Sequence, residues 1–213
     1  MQAFTRTTGA AVPMLASDIN TDDISPIQMA RKLQPDYQRM LFMRSRWQPD
    51  GEPVADHVLN QPQFSNPAIL VTGANFGCGS SREAAVWALM ANGITCIVAP
   101  SFADQFRENC LQNGLLTITL EEAVFAEFAQ RVVAADGAPF TADLDSQSLS
   151  GPGGAPIHFD IAPADRLALL EGLDDIGLTS KHQTEIDAWE ARTASQAPWY
   201  QVAFDNRLDK EIE

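Results

Sequence analysis

Ala68-Ile69-Leu70-Val71-Thr72 runs directly into Gly73-Ala74-Asn75-Phe76-Gly77-Cys78-Gly79 and then into Ser80-Ser81-Arg82-Glu83-Ala84-Ala85-Val86-Trp87-Ala88-Leu89-Met90-Ala91-Asn92-Gly93. The first five residues form a short apolar run and read as a buried strand. The alanine- and leucine-rich stretch from Ser81 reads as a helix, and Asn92-Gly93 supplies its stop. A glycine-rich turn therefore joins a strand to a helix. The same texture continues downstream. Ile94 to Ala99 reads as a second strand, and Pro100-Ser101 opens a second helix, capped by Ser101 and closing at Asn113-Gly114. Leu115 to Leu120 is a third strand. Glu121 to Val133 is a third helix, with Val124, Phe125, Phe128 and Val132 on one stripe. Strand and helix alternating three times predict a parallel sheet with right-handed crossovers.

The flanks differ. The first sixty-odd residues, rich in Pro, Asp and Gln, read as irregular. After Ala134, Thr141-Ala142-Asp143-Leu144-Asp145 and Ile157-His158-Phe159-Asp160-Ile161 alternate with period two. With Ser150-Gly151-Pro152-Gly153-Gly154 between them, they read as a β-hairpin pair. Pro163 to Gly172 is a short helix with Pro163 in its first turn. No repeat of 20–50 residues is present, which argues against a solenoid. The expectation is one α/β domain over residues 1–204, with a frayed polar tail at 205–213.

Composition narrows the function. The 213 residues are 45% hydrophobic and 20% charged, which is ordinary for a globular chain. Fourteen basic against 28 acidic residues leave a net charge of −14. Such a chain repels phosphate backbones and anionic membrane surfaces, so no nucleic-acid or membrane partner is expected. No apolar run approaches the roughly 18 residues that suggest a membrane span, and the N-terminus is a poor signal peptide. Cys78, Cys96 and Cys110 are odd in number and far apart, which argues against a disulfide framework or a self-contained metal or iron–sulfur site. A reduced, cytoplasmic protein is the plain expectation.

The glycine-rich turn carries the chemistry. Ligands of parallel sheets bind at the carboxyl ends of strands, where helix N-termini point. Three glycines let the backbone come close to a ligand, and unpaired N–H groups with the helix dipole favour negative charge. The phosphate-loop, dinucleotide and nucleophile-elbow patterns all fail here: no Lys precedes the Ser, no third glycine sits at the required offset, and GxSxG is absent. What remains is an anion-holding helix start with a hydroxyl beside it. A blander reading is open, because Ser80-x-x-Glu83 also fits a capping box and Arg82 could be a solvated charge. Cys78 reads as a small filler before a nucleophile, Cys96 and Cys110 as core. His57, His158 and His182 have no metal-ligand spacing.

Residues 75–83 closely resemble the signature of the small subunit of 3-isopropylmalate dehydratase, the swivel domain of the aconitase superfamily. Three further segments resemble that family in order: Asp18-Ile19-Asn20-Thr21-Asp22-Asp23-Ile24-Ser25-Pro26; Ala99-Pro100-Ser101-Phe102-Ala103-Asp104-Gln105-Phe106 with Asn113-Gly114-Leu115-Leu116; and Gly172-Leu173-Asp174-Asp175-Ile176-Gly177-Leu178-Thr179. Together they cover about residues 4–200. The resemblance implies an aconitase-swivel-like β/β/α fold: a mainly parallel central sheet, helices on its faces and β-rich flanks. It also implies half of a two-protein hydro-lyase of leucine biosynthesis, isomerising 2-isopropylmalate to 3-isopropylmalate by dehydration and rehydration. The four-iron–four-sulfur cluster would lie in the large-subunit partner, with no cofactor or metal in this chain. By the family's motif Ser80 would be the base, acting as an alkoxide, with Arg82 stabilising the anion and binding a substrate carboxylate. Ser81, Gly79, Asn75, Thr21 and Asp22 would contact the 2-hydroxy dicarboxylate, Thr21 and Asp22 at the mouth, where they could also order Arg82.

The chain departs from the family pattern in three places. Ala84 stands where the family has histidine. Leu41-Phe42-Met43-Arg44-Ser45-Arg46-Trp47 loses the family's Asp-Trp-Arg order in a loop tied to substrate choice. Arg107-Glu108-Asn109 replaces a segment that usually carries Tyr. These changes suggest a related diacid such as 2-methylmalate as an alternative substrate. A rival reading is a non-catalytic anion-binding module that kept the turn.

Overall fold

Strand β2 (Pro67–Thr72) lies inside a seven-stranded sheet of order β4-β3-β2-β1-β5-β6-β7, in a computed structural model that describes residues 1–26 and 33–196. Its neighbours are β1 (Arg6–Met14) and β3 (Cys96–Ala99), both parallel to it, and β4 (Leu116–Thr119) runs parallel beyond β3. β3 and β4 fall inside the ranges that the sequence predicts for the second and third strands. β1 does not: it lies in the stretch read as irregular, yet it joins the two halves of the sheet. On its other edge it pairs antiparallel with β5 (Pro139–Asp143), followed by β6 (Ser148–Ser150) and β7 (Ile157–His158).

The expected hairpin partners, β5 and β7, do not pair with each other. Ser148-Leu149-Ser150 intervenes and pairs antiparallel with both. The β-rich flank thus belongs to the same sheet, so the sheet is parallel on one side of β1 and antiparallel on the other.

Period-two alternation divides the strands between two apolar layers. Val12, Leu70 and Ile97 face helices α4 (Glu83–Ala91) and α5 (Asp104–Asn113), together with Met40, Leu41 and Phe42 from the short helical stretch containing α2 (Tyr37–Met40) and α3 (Met43–Arg46). Ala11, Ile69, Val71 and Val98 face the other way, onto Phe128 and Val132 of α6 (Glu122–Ala135) and Leu169 of α7 (Pro163–Glu171). Within the predicted stripe of α6, Val124 is exposed instead, at the outer edge of the face. Edge-to-face pairs of Phe76 with Phe106 and Phe128 with Phe140 sit one in each layer. Gly114 and Gly172 end α5 and α7 in the left-handed conformation, as their sequence positions predict.

Met1–Asp174 forms one compact unit and Asp175–Glu213 a second. In the second, α8 (Asp175–Ser180) and α9 (Gln183–Gln196) follow the Gly172-Leu173-Asp174 segment. The polar tail expected at 205–213 lies outside the described residues. Among the described residues no helix is long and apolar enough to cross a membrane.

Candidate functional site

Beyond the carboxyl ends of β1, β2 and β3 the chain does not disperse into separate loops. Backbone bonds tie Gly73 N–H to Ala16, Asp18 N–H to Ala74, Gly77 N–H to Ile19 and Thr21 N–H to Cys78, all at 2.8–3.1 Å. Residues 16–21 and 73–78 thereby extend the β1–β2 pairing as a parallel zipper. The loop after β3 joins it: Phe76 N–H reaches the Ser101 carbonyl, Ala103 N–H reaches the Phe76 carbonyl, and Asn75 N–H reaches Ser101 Oγ at 2.8 Å. Ser101 is thus not the cap of α5, whose N-cap is Ala103. Its hydroxyl is spent on the turn.

The turn needs left-handed backbone at Asn75 (φ 57°), Gly77 (φ 78°) and Gly79 (φ 94°). Gly77 is doubly constrained, because a Cβ there would stand 2.2 Å from Phe106 Cγ. Asn75, the one residue of the three with a side chain, donates from Nδ2 to Asp18 Oδ1 at 2.7 Å, and Asp18 is itself left-handed (φ 59°). Two residues in a sparsely populated conformation brace each other across the zipper.

Helix α4 starts at Glu83, two residues later than the sequence suggests, with Arg82 as N-cap and no side-chain cap. Ser80 is therefore not the capping residue, and the blander reading of Ser80-x-x-Glu83 fails on geometry. The first N–H groups of α4 keep their capacity for an anion. Ser80 is exposed, and among the described residues its hydroxyl has no hydrogen-bond partner, whereas its carbonyl accepts from Thr21 Oγ1 at 2.8 Å. Thr21 is almost fully buried. Its hydroxyl is committed to fixing the Ser80 backbone. Ser81, also exposed, accepts at Oγ from Asn109 Nδ2 at 3.2 Å, and Gly79 is open to solvent.

Arg82 is held by Asp22. Both terminal guanidinium nitrogens donate to the two carboxylate oxygens, Nη2 to Oδ2 at 3.1 Å and Nη1 to Oδ1. The arginine side chain is 13% exposed and the aspartate 42%, so Asp22 covers one edge of the guanidinium at the rim. A guanidinium has five N–H donors, and two are used here. Asp22 comes from α1 (Thr21–Ile24), a single turn closed by a capping box in which Asn20 Oδ1 accepts from Asp22 and Asp23. The site thus brings together Ser80, Ser81, Arg82, Gly79, Asn75, Thr21 and Asp22. Asp18, Asn20, Ser101 and Asn109 support it without having been singled out by sequence, although Asn20-x-x-Asp23 carries a legible capping-box pattern.

The other candidates separate from the turn. Cys96 and Cys110 are fully buried, and burial pushes both thiols far up from their ordinary range. Cys78 is half-buried, with Sγ 3.4 Å from the Asp18 carbonyl. Among the described residues no group of three or more His, Cys, Asp or Glu side chains converges as a metal site. His57 accepts from Leu59 N–H and lies tilted against the Phe42 ring; burial, then Arg46, lowers its pKa. Ala84, at the family's histidine position, is buried in the core in the first turn of α4. Arg107 pairs with Asp165 of α7 at 3.1 Å.

Residues 1–123 match the aconitase C-terminal domain, and residues 175–203 match the C-terminal domain of the 3-isopropylmalate dehydratase small subunit. The chain belongs to the family of 3-isopropylmalate dehydratase small subunits. The small subunit of that name from Dinoroseobacter shibae is 43% identical over 200 residues, spanning 93% of this chain and all of that one. Its counterpart from Agrobacterium fabrum is 42% identical over the same shares. Among solved structures, the 3-isopropylmalate dehydratase of Methanocaldococcus jannaschii superposes with a TM-score of 0.61 at 23% identity, covering 86% of this chain and 98% of its own. That likeness supports the small-subunit family's fold.

Proposed function

We propose that this chain is the small subunit of a 3-isopropylmalate dehydratase and that Ser80 Oγ is the base of the reaction. The observation that carries this reading is the placement of an exposed hydroxyl, without a partner among the described residues, at an uncapped helix start, two residues from a guanidinium fixed by a carboxylate. In the proposed step Ser80 Oγ takes the proton from the carbon alpha to a carboxylate of the bound 2-hydroxy diacid, and returns it at the neighbouring carbon when water adds back.

A serine hydroxyl is a very weak acid, so the surroundings must favour its anion. Each unit of pKa depression needs about 1.4 kcal/mol of preferential stabilisation. The N–H groups at the start of α4 and the helix dipole provide fixed donors that need no reorganisation. Asp22 neutralises much of the charge of Arg82, so the arginine acts chiefly through directed hydrogen bonds. Its three remaining N–H groups are available to a substrate carboxylate. Thr21 holds the Ser80 carbonyl, which fixes where Oγ stands.

Loss of hydroxyl from substrate calls for a Lewis acid, which an iron–sulfur cluster in the large-subunit partner would supply. The cysteines here do not suit a cluster of their own, since two are sealed apart in the core. An active site divided between two chains is consistent with Ser80 lying on an open surface. A cytoplasmic heterodimer serving leucine biosynthesis follows from the same reading. The decisive experiment reconstitutes the chain with a large subunit and compares wild type with Ser80→Ala. Loss of turnover in a folded, assembled variant supports the proposal; retained turnover rejects it. Running 2-isopropylmalate beside 2-methylmalate tests which diacid the reconstituted enzyme accepts.

A further inference from the structure

Acids outnumber bases two to one in this chain, so a guanidinium has carboxylates to choose from. Among the described residues Arg6, Arg82, Arg107 and Arg166 each pair with an aspartate, and Arg131 is enclosed by carbonyls. Arg39, Arg44 and Arg46 have no carboxylate partner there, although Asp36, Asp50 and Glu52 lie in the same stretch. Asp36 instead accepts the backbone N–H of Arg39 at 3.0 Å, and Asp50 that of Glu52 at 3.1 Å. Asp36 and Asp50 serve the backbone, and three positive charges within eight residues are left without a carboxylate partner among the described residues.

Two of them meet at Trp47. The guanidinium carbon of Arg39 lies 5.0 Å from the indole centroid and that of Arg46 5.5 Å. Stacking on a ring leaves the in-plane N–H groups of a guanidinium for an acceptor. Arg46 uses its own on Asn60 Oδ1 and Asn92 Oδ1, at 2.9 and 2.8 Å. Arg39 has one, a 3.3 Å bond from Nη2 to the Gly51 carbonyl, and its other donors have no acceptor among the described residues. The indole Nε1–H of Trp47 is buried and lacks one too. A buried donor without an acceptor costs about 1–3 kcal/mol. All three side chains line one polar cavity of about 510 Å³, with Asn66 and Gly93 on its wall.

This cavity is separate from the Ser80 turn. It abuts Ala91, Asn92 and Gly93 at the end of α4, whereas Arg82 stands before the start of that helix. Nine helical residues span about 13 Å. We propose that the cavity lined by Arg39, Arg46 and Trp47 is an anion site, taking a small carboxylate or phosphate whose oxygens accept from the edge of Arg39 and from the Trp47 indole. The site is independent of the role given to Ser80.

The test titrates the full chain, labelled with 15N, with sodium phosphate and separately with sodium malonate, holding ionic strength constant by replacing sodium chloride. The readout is the indole N–H resonance of Trp47, assigned by its disappearance in Trp47→Phe. A saturable shift in either titration is expected, with the stronger response identifying which oxyanion the site prefers. Arg39→Gln should weaken it at least tenfold and Arg39→Lys less, while Ser80→Ala leaves it unchanged. An indole signal that fails to saturate by 50 mM of both probes overturns the proposal. So does equal affinity in wild type and a folded Arg39→Gln chain, which would mark the stack as purely structural.

Discussion

Residues 73–83 and residues 150–155 are both glycine-rich, and each region holds an arginine. In the second, Arg131 of α6 is 7% exposed. It donates to the carbonyls of Pro152 and Ala155 at 3.1 and 3.0 Å and to those of Gly151 and Gly154 at 3.4 and 3.3 Å. A Cβ at Gly154 would press to 3.1 Å on that guanidinium, so small residues let the loop wrap it. In the first region Gly77 and Gly79 supply the left-handed backbone that leads to an exposed Ser80. Arg82 keeps three N–H groups unspent by Asp22, and Ser80 Oγ has no partner among the described residues. A loop that consumes its donors stabilises the fold, whereas one that leaves donors and an acceptor open can act on another molecule. The difference lies in how completely the hydrogen bonds close.

The largest effect that would break this contrast comes from Ser80→Ala. With no hydrogen bond lost, its stability should stay within about 0.5 kcal/mol of wild type, while turnover of the reconstituted enzyme falls by about 10²–10⁴-fold, the range for a general base. Steady-state assays alongside thermal melts read both. Arg131→Met should do the reverse. It retains an aliphatic stem but leaves four carbonyls without their donor, at a cost of about 2–4 kcal/mol in urea unfolding, with turnover per folded molecule unchanged.

How much of this was legible in sequence differs between the two loops for the same reason. Ser80, Arg82 and the glycines stand together in one run, because a strand, a turn and a helix start are local. The partners that arm them are distant: Asp22 is 60 residues from Arg82, Thr21 is 59 from Ser80, and Asn109 is 28 from Ser81. No period or propensity reports such pairings. β1 escaped notice because Arg6-Thr7-Thr8-Gly9-Ala10-Ala11-Val12-Pro13-Met14 lacks the bulky run expected of a central strand. Its small residues have a packing cause: a Cβ on Gly9 would stand 2.7 Å from Ala68 Cβ on the neighbouring strand. Likewise β6, with three residues, is too short to show alternation. Arg131 gave no signal at all, since an arginine near the end of an amphipathic helix ordinarily reads as solvated.

Asp22→Asn sharpens the comparison at smaller magnitude. It removes the ionic brace from Arg82 while the loops stay zipped, and turnover should fall by about 10–100-fold through misplacement of the guanidinium. Rescue by Asp22→Glu would confirm an ionic brace; equal loss in both variants would point to geometry that tolerates no added methylene. The smallest effect is at the far side of the sheet. Ser146 N–H, and then Arg6, hold the Asp143 carboxyl down from 3.8 to about 2. A depressed carboxylate stabilises the fold fully above its unfolded pKa, and that contribution is lost as pH falls from about 4 through about 2. With Arg6 well exposed, screening limits the loss to about 1 kcal/mol. Asp143→Asn should flatten that part of the acid unfolding curve and leave the Ser80 region unaffected.

The parallel zipper between residues 16–21 and 73–78 also bears on how this protein can diverge. Four backbone bonds join the two segments in chain order, and Thr21 Oγ1 then holds the Ser80 carbonyl. Inserting or deleting a single amino acid in either segment would slide every later rung and carry Asp22 away from Arg82. Side chains along these two stretches are free to change within their steric limits, but their lengths are locked together. Natural variation in chain length should therefore collect elsewhere, and a compensated pair of indels, one in each segment, would be needed to preserve turnover.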